Sequence, residues 1–69
     1  MKDWKKYDPD SWQHKLDKNK FIYISYDPEE KIYDIVISDD GRFGGEDEYA
    51  SIKSRKKAIN EIMQYMRNN

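Results

Sequence analysis

Residues 20–38 constrain this chain more than any other stretch. Phe21-Ile22-Tyr23-Ile24-Ser25-Tyr26 and Ile32-Tyr33-Asp34-Ile35-Val36-Ile37 are β-branched and aromatic, and Asp27-Pro28-Glu29-Glu30 lies between them. Pro28 presets the φ of a second turn position and Asp27 can accept from the backbone ahead of it, so the stretch predicts a β-hairpin. With Asp27 to Glu30 as the loop, Tyr26 faces Lys31, Ile24 faces Tyr33 and Ile22 faces Ile35. Ile22, Ile24, Tyr33, Ile35 and Ile37 then share one face. The other face carries Phe21, Tyr23, Ile32 and Val36 around Ser25 and Asp34. A ribbon that is apolar on both sides needs a cover on each, or keeps one as a docking surface.

One cover is legible. Ala58, Ile59, Ile62, Met63 and Met66 recur at helical spacing, Ser54 is positioned to cap the start, and Arg67 marks the end. This stripe is expected to lie across Ile22, Ile24, Ile35 and Ile37. At the other end of the chain, Asp8 reads as an N-cap, Pro9 as the first helical position, and Tyr7 and Trp12 as a hydrophobic staple. These predict a short helix over residues 9–17 with Trp12 and Leu16 on one edge. Trp4, Tyr7, Trp12 and Leu16 are the candidate second cover. After the hairpin, Asp39-Asp40-Gly41-Arg42 reads as a turn. A third strand is then offered by Arg42-Phe43, interrupted at Gly44-Gly45, or by Tyr49-Ala50-Ser51-Ile52. The expected fold is α+β: a short N-terminal helix, an antiparallel sheet of two to three strands built on the 21–38 hairpin, and a C-terminal amphipathic helix packed on one sheet face. Residues 1–69 form a single small domain.

Composition narrows the function classes. Charged residues make up 39% of the chain, yet 14% aromatic content argues for a folded domain over a disordered one. Cys is absent, which removes disulfides, thiolate metal sites and thiol nucleophiles. No apolar run reaches the length of a membrane span and the first residues lack the apolar core of a signal peptide, so the default compartment is cytoplasmic and no membrane partner is expected. A formal net charge of -1 is unlike that of strongly basic nucleic-acid-binding domains.

The charges are nonetheless segregated. Lys53, Arg55, Lys56 and Lys57 follow soon after Glu46, Asp47 and Glu48. Cations in a first helical turn oppose the helix dipole, whereas an anion docked on free N–H groups there is favoured. Either the neighbouring acids neutralise the cluster, or it contacts a phosphate, a nucleic acid or an acidic partner protein. From Lys31 onward, strand, turn, strand and then Ser54-Arg55-Lys56-Lys57-Ala58 opening an amphipathic helix resembles the second half of double-stranded RNA-binding domains. The resemblance implies phosphate contacts from a lysine-rich helix start. It covers about half of the chain. The N-terminal segment lacks that family's pattern, and Asp39 and Asp40 stand where a basic or His-containing turn belongs, so the family is not assigned.

Phe21 and Tyr23, with Trp4 and Trp12, are candidate partner-binding aromatics, since exposed aromatics anchor protein interfaces. Stacking of unpaired bases on Phe21, Tyr23 and Phe43 is the lesser alternative, since that face has no basic neighbours. Ser11, His14 and Asp17 fall at successive i+3 spacing, but a triad needs an imidazole oriented toward an activated hydroxyl beside an oxyanion hole, and one side of a short helix does not supply that. Asp39, Asp40, Glu46, Asp47 and Glu48 lack the alternating spacing of a calcium loop, and Gly44-Gly45 lacks the Lys-Ser/Thr of a phosphate loop. No catalytic residue, cofactor, metal or small-molecule substrate is expected. The reading is a non-enzymatic binding module whose partner is a protein or a second copy, the alternative being an RNA- or DNA-binding module using Lys53, Arg55, Lys56 and Lys57.

Overall fold

The computed structural model describes residues 3–41 and 47–68. Five strands, β1 (Trp4–Asp8), β2 (Ser11–His14), β3 (Phe21–Asp27), β4 (Ile32–Ser38) and β5 (Asp47–Ile52), precede one helix, α1 (Arg55–Asn68). The strands form a single antiparallel sheet in the order β1-β2-β3-β4-β5, each strand beside its sequence neighbours.

The expected N-terminal helix and the two- to three-stranded sheet are both overturned. Residues 4–14 form a β-hairpin pairing Trp4 with His14 and Lys6 with Trp12. The same side chains that suggest a helix cap make a turn here: Asp8 Oδ1 accepts the Asp10 amide at 2.9 Å, and Pro9 sits between them. Burial explains why the strand reading wins. A helix over residues 9–17 would bury only the Trp12–Leu16 edge, whereas a strand places Trp4 and Trp12 on one sheet face, each 3% exposed, and leaves Leu16 in water at 83%.

The central hairpin forms in a register two residues from the expected one: Tyr26 pairs with Tyr33, Ile24 with Ile35 and Ile22 with Ile37. The loop is therefore Pro28 to Lys31. Asp27 Oδ1 accepts from Glu29 N at 2.9 Å and Glu30 N at 3.3 Å, and Lys31 closes the turn at φ 56°. A shift of two preserves the side-chain alternation, so the expected face assignments hold.

On the inner face, Trp4, Trp12, Ile22 and Ile35 form one buried cluster with Ala58, Ile62 and Met66 of α1. Ile24, Tyr33, Ile37, Ile59 and Met63 pack at its margin. Each fully buried aliphatic side chain here contributes about 1.5–3 kcal/mol of transfer free energy. Tyr65 meets the ring of Trp4 at 6.2 Å and that of Tyr49 at 5.2 Å, so one helix residue touches both the first and the last strand. The outer face buries Phe21, Tyr23 and Val36 with Ser11 and Ser38. Of the four N-terminal side chains expected to cover that face, Trp4 and Trp12 belong to the inner core and Leu16 to solvent. Tyr7 alone stands over it, its ring edge-on to Phe21 at 5.1 Å.

The third-strand expectation resolves to Tyr49–Ile52 within β5. Arg42, Phe43, Gly44, Gly45 and Glu46 lie outside the described residues. Gly41, at φ +78°, donates its amide to Asn19 O at 2.8 Å, tying the turn after β4 to the β2–β3 loop. A side chain there would be strained and would crowd Asn19 Oδ1 at 3.1 Å.

Candidate interaction surface at the hairpin tip and helix start

Antiparallel pairing gathers three features at one end of the sheet. Ile52 at the close of β5 is opposite Tyr33, and Tyr33 is opposite Tyr26, so the β3–β4 tip and the start of α1 are neighbours. The third is the β1–β2 turn, whose Asp10 carbonyl accepts Ile24 N at 2.9 Å. Tyr33 packs at the margin of the inner core, and Tyr26 pairs with it across the strands. Their rings lie 4.7 Å apart at 42°, with Tyr26 49% exposed.

Ser54 caps α1 as its position in the sequence predicts, its Oγ accepting Lys57 N at 3.4 Å and its carbonyl accepting Ala58 N at 2.9 Å. Arg55 does not join a free basic cluster. Its Nη2 meets Asp10 Oδ1 at 2.6 Å and Pro9 O at 3.4 Å, pinning the helix start to the β1–β2 turn. Lys53, Lys56 and Lys57 are exposed and form no ion pair among the described residues. Glu29, Glu30 and Lys31 at the tip, at the same end of the sheet, are exposed too. The surface is thus an aromatic pair rimmed by charges of both signs.

The four aromatics read from the sequence as partner-binding are placed differently. Trp4 and Trp12 are 3% exposed, Phe21 5% and Tyr23 8%. They belong to the two buried faces of the sheet and are not brought together with the basic residues. Tyr26 was legible as a same-face neighbour of Tyr33 by alternation. Nothing in the sequence marks that Tyr26 stays half in water.

Ser11, His14 and Asp17 do not converge. Ser11 is buried on the outer face opposite Tyr23, while His14 packs edge-on against Trp4 at 4.9 Å on the inner face. His14 Nδ1 accepts the amides of Leu16 at 3.1 Å and Asp17 at 3.3 Å, a structural task. The Ser11 hydroxyl, near the carboxylate though itself without a hydrogen bond among the described residues, and the Asp10 amide hold the Asp8 carboxyl below its ordinary range. No group of three or more metal-ligating side chains occurs among the described residues. A depression along α1, lined by Asn60, Glu61, Met63, Gln64 and Arg67, is open to water and differs from the enclosed apolar pocket of a small-molecule site. No helix among the described residues is long and apolar enough to cross a membrane. Compared with known proteins, the chain matches no family model, no curated protein and no solved structure.

Proposed function

We propose that this domain is a non-enzymatic binding module whose partner is a protein, engaged at the hairpin tip and helix start. The observation that carries the reading is the half-exposed Tyr26, tilted against Tyr33 at the end of the sheet that also carries the exposed Glu29, Glu30, Lys31, Lys53, Lys56 and Lys57. A rigid aromatic with a polar rim of both signs has the anatomy of a protein–protein contact, and the charges steer and orient the encounter.

The competing reading is a nucleic-acid module using the same basic residues. Exposed Lys53, Lys56 and Lys57 favour it. Two observations weigh against it: Arg55 is already engaged by Asp10, and a phosphate backbone laid over Lys56 and Lys57 would meet Glu29 and Glu30 at the same end of the sheet. The two readings separate experimentally. For a protein partner, Tyr26→Ala is expected to weaken capture of that partner roughly 10-fold or more, with folding unchanged by circular dichroism. Equal recovery of every partner by wild type and Tyr26→Ala counts against the surface. For a nucleic acid, binding to mixed-sequence RNA and DNA would fall steeply with salt and disappear in the Lys56→Glu, Lys57→Glu variant. Absence of binding at low salt removes that reading.

A further inference from the structure

The β2–β3 loop, residues 15–20, lies at the end of the sheet opposite the hairpin tip, and its backbone is unusually well held. Lys15 N donates to Asp3 O at 2.7 Å, and Lys20 N to Asp17 O at 3.0 Å. Leu16 N and Asp17 N donate to His14 Nδ1, and Asn19 N donates to Asp17 Oδ1 at 3.0 Å. Gln13 Nε2 donates to Lys18 O at 2.9 Å, and Gly41 N donates to Asn19 O. This scaffold is rooted in the core through His14 against Trp4, and it presents Leu16 to water at 83% exposure. Among the described residues, the other Ile, Val and Met side chains are sheltered at least in part.

The charges around the loop are also arranged. Lys5 is paired across the strands with Gln13, whose amide holds the Lys18 carbonyl, and Lys15 is bonded to the chain two residues before Lys5. The three lysines therefore share the β1 side of the loop. Repulsion from Lys18, and in lesser part from Lys15, pushes the Lys5 pKa below its ordinary 10.5. Asp17, within the loop, accepts the Asn19 amide, and Asp40 accepts the Ser38 hydroxyl on the β4 side.

We propose that this loop is a peripheral contact for an anionic lipid surface, with Leu16 entering the boundary between headgroups and acyl chains and Lys5, Lys15 and Lys18 lying against the lipid headgroup anions. Charge complementarity selects an anionic occupant. The leucine fixed among the cations selects a lipid surface over a soluble polyanion, which has no apolar phase to receive it. This contact is independent of the surface at the opposite end of the sheet.

Vesicle co-sedimentation of the full chain tests it, comparing neutral phosphatidylcholine vesicles with vesicles carrying about 30% phosphatidylserine. Binding is expected only to the anionic vesicles at roughly 50 mM salt, and is expected to be lost at roughly 500 mM. The Lys5→Gln, Lys18→Gln variant is expected to bind about 25-fold more weakly, at about fivefold per lysine. Leu16→Ser is expected to weaken binding several-fold, and Tyr26→Ala, at the far end, to leave it unchanged. Circular dichroism establishes that each variant is folded. No binding to anionic vesicles at low salt, or equal binding to neutral ones, overturns the proposal. Binding that depends on the lysines but not on Leu16 overturns the lipid assignment in favour of a general anion site.

Discussion

Asp8 shows how one side chain serves two local structures. In sequence it reads as a helix cap, and in the fold the same acceptor closes a β-turn by binding the Asp10 amide. Propensity alone does not separate the two, because Asp before Pro suits both. The decision comes from Trp4 and Trp12, which only a strand pair can place side by side over Ile22 and under α1. The lowered carboxyl pKa of Asp8 has a signed consequence. The folded state binds this proton less tightly than the unfolded chain, so the contribution is complete above the ordinary 3.8 and is lost as pH falls through the lowered value. Asp8→Asn keeps an acceptor for the turn but removes the titration. Urea unfolding at stepped pH is expected to show wild type more stable than the variant near neutrality, with the difference closing in acid. A constant difference across the series would refute the linkage.

At the level of elements, the two segments that carry the most apolar periodicity were the most legible. The 21–38 hairpin and the capped helix α1 stand where the residues put them, and their expected faces meet in the core. The hairpin register was not legible, because loop length depends on whether Lys31 accepts a left-handed backbone, and nothing about a lysine announces that. At φ 56° this residue is strained relative to glycine. Lys31→Gly is expected to stabilise the domain by about 1 kcal/mol, net of the glycine's greater freedom when unfolded. A raised urea midpoint at constant m value is the measurement; a lowered midpoint would contradict the turn geometry. The β1–β2 hairpin was missed for a different reason. Its strands are short and largely polar on their solvent sides, so alternation is carried by very few residues. The candidate surface was half legible: the basic helix start was visible, whereas the burial of Trp4, Trp12, Phe21 and Tyr23 follows from having five strands, which the sequence did not reveal.

Across the whole molecule, charge is segregated along the sequence. Residues 1–20 hold six lysines against four aspartates, residues 21–52 nine acids against two bases, and residues 53–69 five bases against one acid. A near-zero total therefore conceals charge that is segregated along the chain. Arg55 and Asp10 form the ion pair that links the helix to the first hairpin. Both partners are about half exposed, so a double-mutant cycle with Arg55→Ala and Asp10→Ala is expected to give a coupling of only about 0.2–1 kcal/mol, shrinking with added salt. A coupling well above that range would mean the pair is shielded from water. The meander has one further consequence. Every strand finds its mate a few residues away, so the ribbon can zip in sequence order without searching. The distant appointments belong to the helix, where Arg55 reaches back to Asp10 and Tyr65 to Trp4, and its arrival is then the event that converts a row of hairpins into a closed body.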